Sequence, residues 1–217
     1  MTTAIVTRGS SPIARSVAED LVQQGSRVVL TDISLGQDEA ISDEGALELF
    51  EADLMNTVDA EALARTASNR FGQVDTIVNV VQPPPFDDTS VSPFKDWADG
   101  IHDELQKLLN LLDATAPAMM RRQDGHVVNV IVPGEPAPLH RGTNLVAAFS
   151  VEALADGLQA ELENYGVCVT SVQLRWARHN ETAPTQVNAD DIVKAVRVLV
   201  VGDLSTCVTQ LTLQPRA

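Results

Sequence analysis

Side chains able to do chemistry are sparse in this chain, and none stands at a spacing that alone defines a reactive centre. Glu104, His140 and His179 could furnish a carboxylate and an imidazole for proton transfer, but no local spacing joins them. Scattered histidines are ordinarily solvated or hydrogen-bonded within a core. There is no Gly-x-Ser-x-Gly elbow, no Walker loop and no Cys/His metal spacing. Cys168 falls in an apolar, strand-like run and Cys207 near the C-terminus, neither within C-x-x-C, so buried free thiols are expected. Two carboxylates close apolar runs: Asp32 follows Arg27–Leu30, and Asp53 follows the alternating Leu47 and Leu49.

The elements that must position such groups follow from the apolar pattern. Thr3–Thr7 is a short strand, and Ile13, Val17 and Leu21 mark one face of a helix over 13–24 closed by Gly25. Strands at 27–30 and around Leu47–Leu49 come next, then a polar-faced helix over 58–71 with Leu63 and Ala67 inward, and a buried strand at 76–80. A helix over 101–120 carries Ile101, Leu105, Leu108, Leu112, Ala116 and Met119, with Leu109, Leu111 and Met120 widening the stripe. Strand 126–132, helix 145–162, strand 167–174, helix 190–201 and a last strand near 208–213 complete the series. This alternation predicts a single α/β domain over residues 1–217, a doubly wound Rossmann-type parallel sheet with helices on both faces.

Composition narrows the function. The 217 residues carry a net charge of −15 and 44% hydrophobic residues, with one Tyr and two Cys. An acidic chain without a basic cluster is a poor binder of nucleic acid or of an anionic membrane, so small molecules or proteins are the expected partners. No apolar run reaches the roughly 18 to 20 residues of a membrane span, and a cytoplasmic protein is expected.

In a doubly wound sheet the ligand lies beyond the carboxyl ends of the strands, near the first strand-to-helix turn. Here the chain resembles the short-chain dehydrogenase/reductase family over nearly its whole length. The resemblance rests on Ile5–Thr7 entering the turn, Ser10, Ser11 and Ile13 within it, and Asp32 ending the second strand. Asp53-Leu54, Val74–Asn79 and Gly125–Asn129 continue it. It implies that Asp32 meets the adenosine ribose of NAD, that Asp53 with Leu54 meets the adenine, and that Asn79 orders the central strand.

The same resemblance exposes departures. The family's three turn glycines fall on Arg8, Pro12 and Ala14; Pro12 removes an N–H donor and Arg8 puts a long side chain into the phosphate cradle. The fourth strand runs through Asn79, Val80, Val81 and Gln82 into Pro83–Pro85. The family's Tyr-x-x-x-Lys pair is absent, because Val169 stands four residues after the single Tyr165. The Tyr and Lys positions align with Leu145 and Phe149, or Asn144 and Ala148. The Ser position falls on Val132, the Asn position on about Glu104, and the Pro-Gly after strand six on Leu174-Arg175. The interval from Leu174 to Asp190, where the family folds a lid over substrate, is short.

These departures give the expectation of a degenerate, non-catalytic family member with no catalytic residues, no metal and no bound cofactor. NAD is what the remaining Asp32, Asp53, Leu54 and Asn79 would take. Such a pseudoenzyme would form a homo-oligomer, or a hetero-oligomer completing an active dehydrogenase, through helices 101–120 and 145–162. The alternative is an NAD(P)-dependent oxidoreductase with substituted catalytic residues, in which Arg8 pairs with pyrophosphate in place of lost backbone donors.

Overall fold

The structure, a computed structural model, describes residues 1–35, 45–81, 94–132, 141–175, 187–202 and 204–215, the side chains of 94–97 and 141–148 excepted. Within it β1 (Thr3–Val6), α1 (Pro12–Gln23), β2 (Arg27–Asp32) and β3 (Leu47–Glu51) are followed by α2 (Thr57–Phe71) and β4 (Thr76–Val81). Then come α3 (Phe94–Arg122), β5 (Gly125–Ile131), α4 (Arg141–Leu162), β6 (Val167–Leu174), α5 (Ala189–Val201) and β7 (Gln210–Leu213). Their order in the sheet is β3-β2-β1-β4-β5-β6-β7, every pairing parallel. This is the doubly wound Rossmann-type architecture, and chain direction reverses across the sheet between β1 and β4.

Strand alternation divides the core in two. Ala4, Val6, Val28, Leu30, Val78 and Val80 point toward α1 and α5, where Val17, Leu21, Ile192 and Val196 pack on them. Ile5, Val29, Ile77, Val127 and Val169 point the other way, under Leu63, Leu111, Met119 and Val151 of α2, α3 and α4. Central strands buried on both faces favour apolar residues on both sides, which is why β4 reads as a nearly continuous run, broken by Asn79. The broad stripe of α3 has its explanation here. That helix contacts both α2 and α4 on the sheet, so its buried face is broad, running from Leu111 through Leu108, Met119 and Leu112 to Ala116.

The described helices begin before the apolar periodicity does: α3 starts at Phe94 and α4 at Arg141, against expected starts of 101 and 145. The leading turn of α4 is polar and that of α3 mixes Phe94 and Trp97 with charged residues and Gly100, so neither extends the apolar periodicity. The two cysteines correct the expectation of free thiols, since Cys168 in β6 and Cys207 ahead of β7 form a disulfide. The sequence separation of 39 hides this, because only the parallel β6–β7 pairing brings the two positions together. Among the described residues, no helix is long and apolar enough to cross a membrane.

Candidate active site

A cleft of about 270 Å³ opens at the carboxyl ends of the strands, beside the β1/β4 reversal. It is lined by Thr7, Arg8 and Ser10 of the first turn, Thr31 and Asp32 of β2, Asp53 and Leu54 after β3, Asn79 and Val80 of β4, and Glu104 and Lys107 of α3. Asp32, Asp53, Leu54 and Asn79, far apart in sequence, meet there because each lies at or just beyond the end of a neighbouring strand.

Each of these groups already has structural work. Asp32 accepts from the Ser10 backbone N–H (3.0 Å) and Ser10 Oγ (2.5 Å) through one oxygen, and from the Ile33 N–H (2.8 Å) through the other. It therefore braces the first turn, while a carboxylate keeps lone pairs for further donors. Asp53 accepts from the Met55 N–H at 3.0 Å. The carbonyls of Leu54 and Met55 are fixed by the buried amide of Asn110 on α3, at 2.8 and 3.2 Å. Asn79 accepts from Thr7 Oγ1 at 3.0 Å and donates to Asn129 Oδ1 at 3.1 Å, so a polar row crosses β1, β4 and β5 inside an apolar sheet. The sequence gives no sign of Asn110, and it marks Thr7 only as entering the turn; their partners lie 56 and 72 residues away, and only the fold joins them.

The turn itself departs from a backbone phosphate cradle. The N–H of Gly9 donates to Thr31 O, that of Ser10 to Asp32, and that of Ser11 to Arg8 O, while Pro12 has none. Gly9 is held for packing, since a Cβ there would sit 2.4 Å from Leu35 Cδ2 and 2.8 Å from Leu30 Cγ. Arg8 occupies the left-handed region with φ 59°, a conformation glycine adopts freely and a side chain pays for. Its guanidinium turns into the cleft, donating through Nε to Val80 O (3.1 Å) and through an Nη to Glu104 Oε1 (2.5 Å). Lys107 stands 3.6 Å from the same carboxylate oxygen.

The sequence pattern described as short chain dehydrogenase matches residues 2–186. The chain belongs to that family. An uncharacterized oxidoreductase of Staphylococcus saprophyticus is 28% identical over 180 residues, covering 78% of this chain and 75% of the relative. An uncharacterized oxidoreductase of Staphylococcus epidermidis is 26% identical over 98% of this chain and 96% of its own. Among solved structures, a metagenomic short-chain oxidoreductase in complex with NADP superimposes with a TM-score of 0.78 at 24% identity, covering 100% of this chain and 98% of that one. Sorbitol-6-phosphate 2-dehydrogenase from Erwinia amylovora superimposes with a TM-score of 0.79 at 16% identity, covering 97% of each chain. At these identities the structures establish a shared fold.

Membership corrects the expectation that no cofactor is held: the family match, and the full-length likeness to a member solved with NADP, overturn it. The polar groups of the cleft agree with that correction at one end, where carboxylates at the end of β2 and after β3 can accept from the hydroxyls and amino group of an adenosine, and differ at the phosphate end, where the N–H groups of Gly9, Ser10 and Ser11 are already bonded.

At the catalytic end, Val132 is buried, Leu174 ends β6 and Arg175 follows it. Leu145, Asn144 and Ala148 lie on α4 with their side chains outside the described residues, and Phe149 is 60% exposed. His140, His179 and most of the expected short lid, residues 176–186, also lie outside them. Glu104, one member of the possible acid/base set, is in the cleft, committed to Arg8 and Lys107. Tyr165 lies just before β6, at the opposite end of the sheet from the cleft. A larger cavity of about 580 Å³ occupies that amino-terminal end, beside His126 and the disulfide. Burial there lowers the His126 pKa to about 4, and its Nε2 lies 2.7 Å from Thr170 Oγ1. Neutral, bonded and remote from the cleft, His126 belongs to the packing of the sheet.

Proposed function

We propose that this chain binds a nicotinamide dinucleotide in the cleft at the carboxyl ends of β1 to β4 and acts as an oxidoreductase with substituted catalytic groups. The observation that carries the reading is Asp32 and Asp53 on adjoining walls of a cleft at the sheet's reversal point. The family match and the relatives' description as oxidoreductases support it. Asp32 would hold the adenosine ribose, Asp53 and Leu54 would border the adenine, and Asn79, fixed between Thr7 and Asn129, would keep the floor of the cleft rigid. Bound there, the nicotinamide supplies hydride chemistry. The accompanying proton must move through a group other than a Tyr-Lys pair, since the sequence has none.

A carboxylate at the ribose repels a 2′-phosphate, so NADH should bind more tightly than NADPH. Calorimetric titration with both tests the reading: saturable NADH binding that Asp32→Ala weakens supports it, and heat-silent titrations with both overturn it.

The missing Tyr-x-x-x-Lys also supports a second reading, a non-catalytic subunit that oligomerises with itself or with an active dehydrogenase. Phe149, Ala153, Gly157 and Ala160 lie exposed along one side of α4, the helix this reading uses as an interface. Native mass spectrometry after co-expression with an intact short-chain dehydrogenase separates the two: a mixed complex favours the subunit, and homomers or monomers count against the mixed assembly.

A further inference from the structure

We infer that the Arg8 guanidinium is the phosphate-binding group of this cleft and that Glu104 is its placeholder, exchanged for phosphate when a phosphorylated nucleotide enters. The inference rests on the dinucleotide reading above and names the group that makes it possible. Three features of the first turn point to it. The backbone donors of Gly9, Ser10 and Ser11 are consumed internally, and Pro12 offers none, so the turn gives a phosphate fewer N–H groups and a side-chain cation takes a larger share of its charge. Arg8 and Lys107 are the cations lining the cleft. Arg8 also holds a left-handed backbone conformation that disfavours a non-glycine residue, and its guanidinium lies over Val80, between the turn and α3.

The exchange leaves no charge stranded. Arg8 stays anchored through Nε on Val80 O while the Nη now facing Glu104 is freed for a phosphate oxygen, which the planar guanidinium receives as well as a carboxylate. Glu104 is not orphaned on release, because Lys107 already stands 3.6 Å from Oε1. The Arg8 and Glu104 side chains are only 25% and 12% exposed, so their attraction is screened less than that of a surface pair, and an incoming phosphate must compete with it. The link also joins the β1 turn to α3, so phosphate binding would uncouple the two.

Calorimetric titration of the whole protein with NADH, ADP-ribose and adenosine, each with wild type, Glu104→Gln and Arg8→Gly, tests this. Removing the competing charge in Glu104→Gln should tighten NADH and ADP-ribose binding by about tenfold and leave phosphate-free adenosine unchanged. Arg8→Gly, which suits the positive φ and so should fold, ought to weaken both phosphorylated ligands by about tenfold or more, again sparing adenosine. Wild-type binding of NADH that neither substitution alters would overturn the role of Arg8 and leave the dinucleotide reading standing. Equal changes for adenosine and ADP-ribose would also overturn it, because the pair would then act on cleft shape alone. Absence of NADH and ADP-ribose binding in all three proteins, each confirmed folded by thermal unfolding, would remove the dinucleotide reading and this inference together.

Discussion

The two ends of the sheet use polar groups in opposite ways. At the amino end they close the structure: the disulfide ties β6 to the chain entering β7, His126 is buried against Thr170, and Gly166 turns at φ 68° against the Gln123 carbonyl. At the carboxyl end Asp32, Arg8, Glu104 and Lys107 are held in place by hydrogen bonds and ion pairs yet line an open cleft. Parallel strands account for the difference. All carboxyl ends lie on one side, where loops can vary without disturbing the ladder, so a turn carrying Arg8 and Pro12 is compatible with an intact sheet.

If the ends are functionally separate, changes at the amino end should move stability without moving nucleotide binding, and changes at the carboxyl end the reverse. The largest effect is expected from reducing the disulfide. With a sequence separation of 39, chain entropy alone gives about 4 kcal/mol, an upper figure for a strapped edge strand. Thermal unfolding with and without reductant should show a large fall in Tm, matched by Cys207→Ser, with NADH affinity unchanged; an equal loss of affinity would break the separation.

Next in size is a pH effect from His126. Its pKa of about 4 in the fold lies below the ordinary 6.5, so the unfolded chain binds the extra proton first. Its stabilising share is complete above pH 6.5 and is lost as the pH falls toward 4, a change on the order of 3 kcal/mol. Denaturant unfolding at intervals across that window should trace the slope, and His126→Gln should flatten it.

Gly9→Ala sharpens the comparison from the other side, because Gly9 belongs to the cleft's turn yet packs against Leu30 and Leu35. Crowding of that kind should cost about 1–3 kcal/mol in chemical denaturation, and by displacing Ser10 it should weaken NADH binding as well. The smallest stability change belongs to Asp32→Ala, which removes the turn brace at about 1–2 kcal/mol, a few degrees of Tm in a chain of this size. Its loss of NADH affinity should be the larger observation, and unchanged affinity would mean that Asp32 serves the turn alone.

Much of this was legible in the sequence because it is local. The alternation of β-prone runs with helical periodicity gives the element order, Asp32 and Asp53 can be assigned to strand ends from their position after each run, and Asn79 falls inside the fourth strand. Two conclusions went astray for a shared reason. The thiols were read one at a time, although their pairing depends on the β6–β7 register. The cofactor was discounted from lost glycines, although Arg8 projects into the same cleft from one of those positions. The breadth of α3 is likewise a property of its neighbours α2 and α4 and not of its own pattern.

By itself the sequence determined the doubly wound fold, since periodicity and turn residues act over a few positions, and it determined the loss of a Tyr-Lys pair, which needs only a count. The tertiary structure alone decided which distant groups meet: Arg8 with Glu104, Asn79 between Thr7 and Asn129, Cys168 with Cys207. Those contacts depend on strand order and register, which bring together residues dozens of positions apart, and no local pattern encodes that distance.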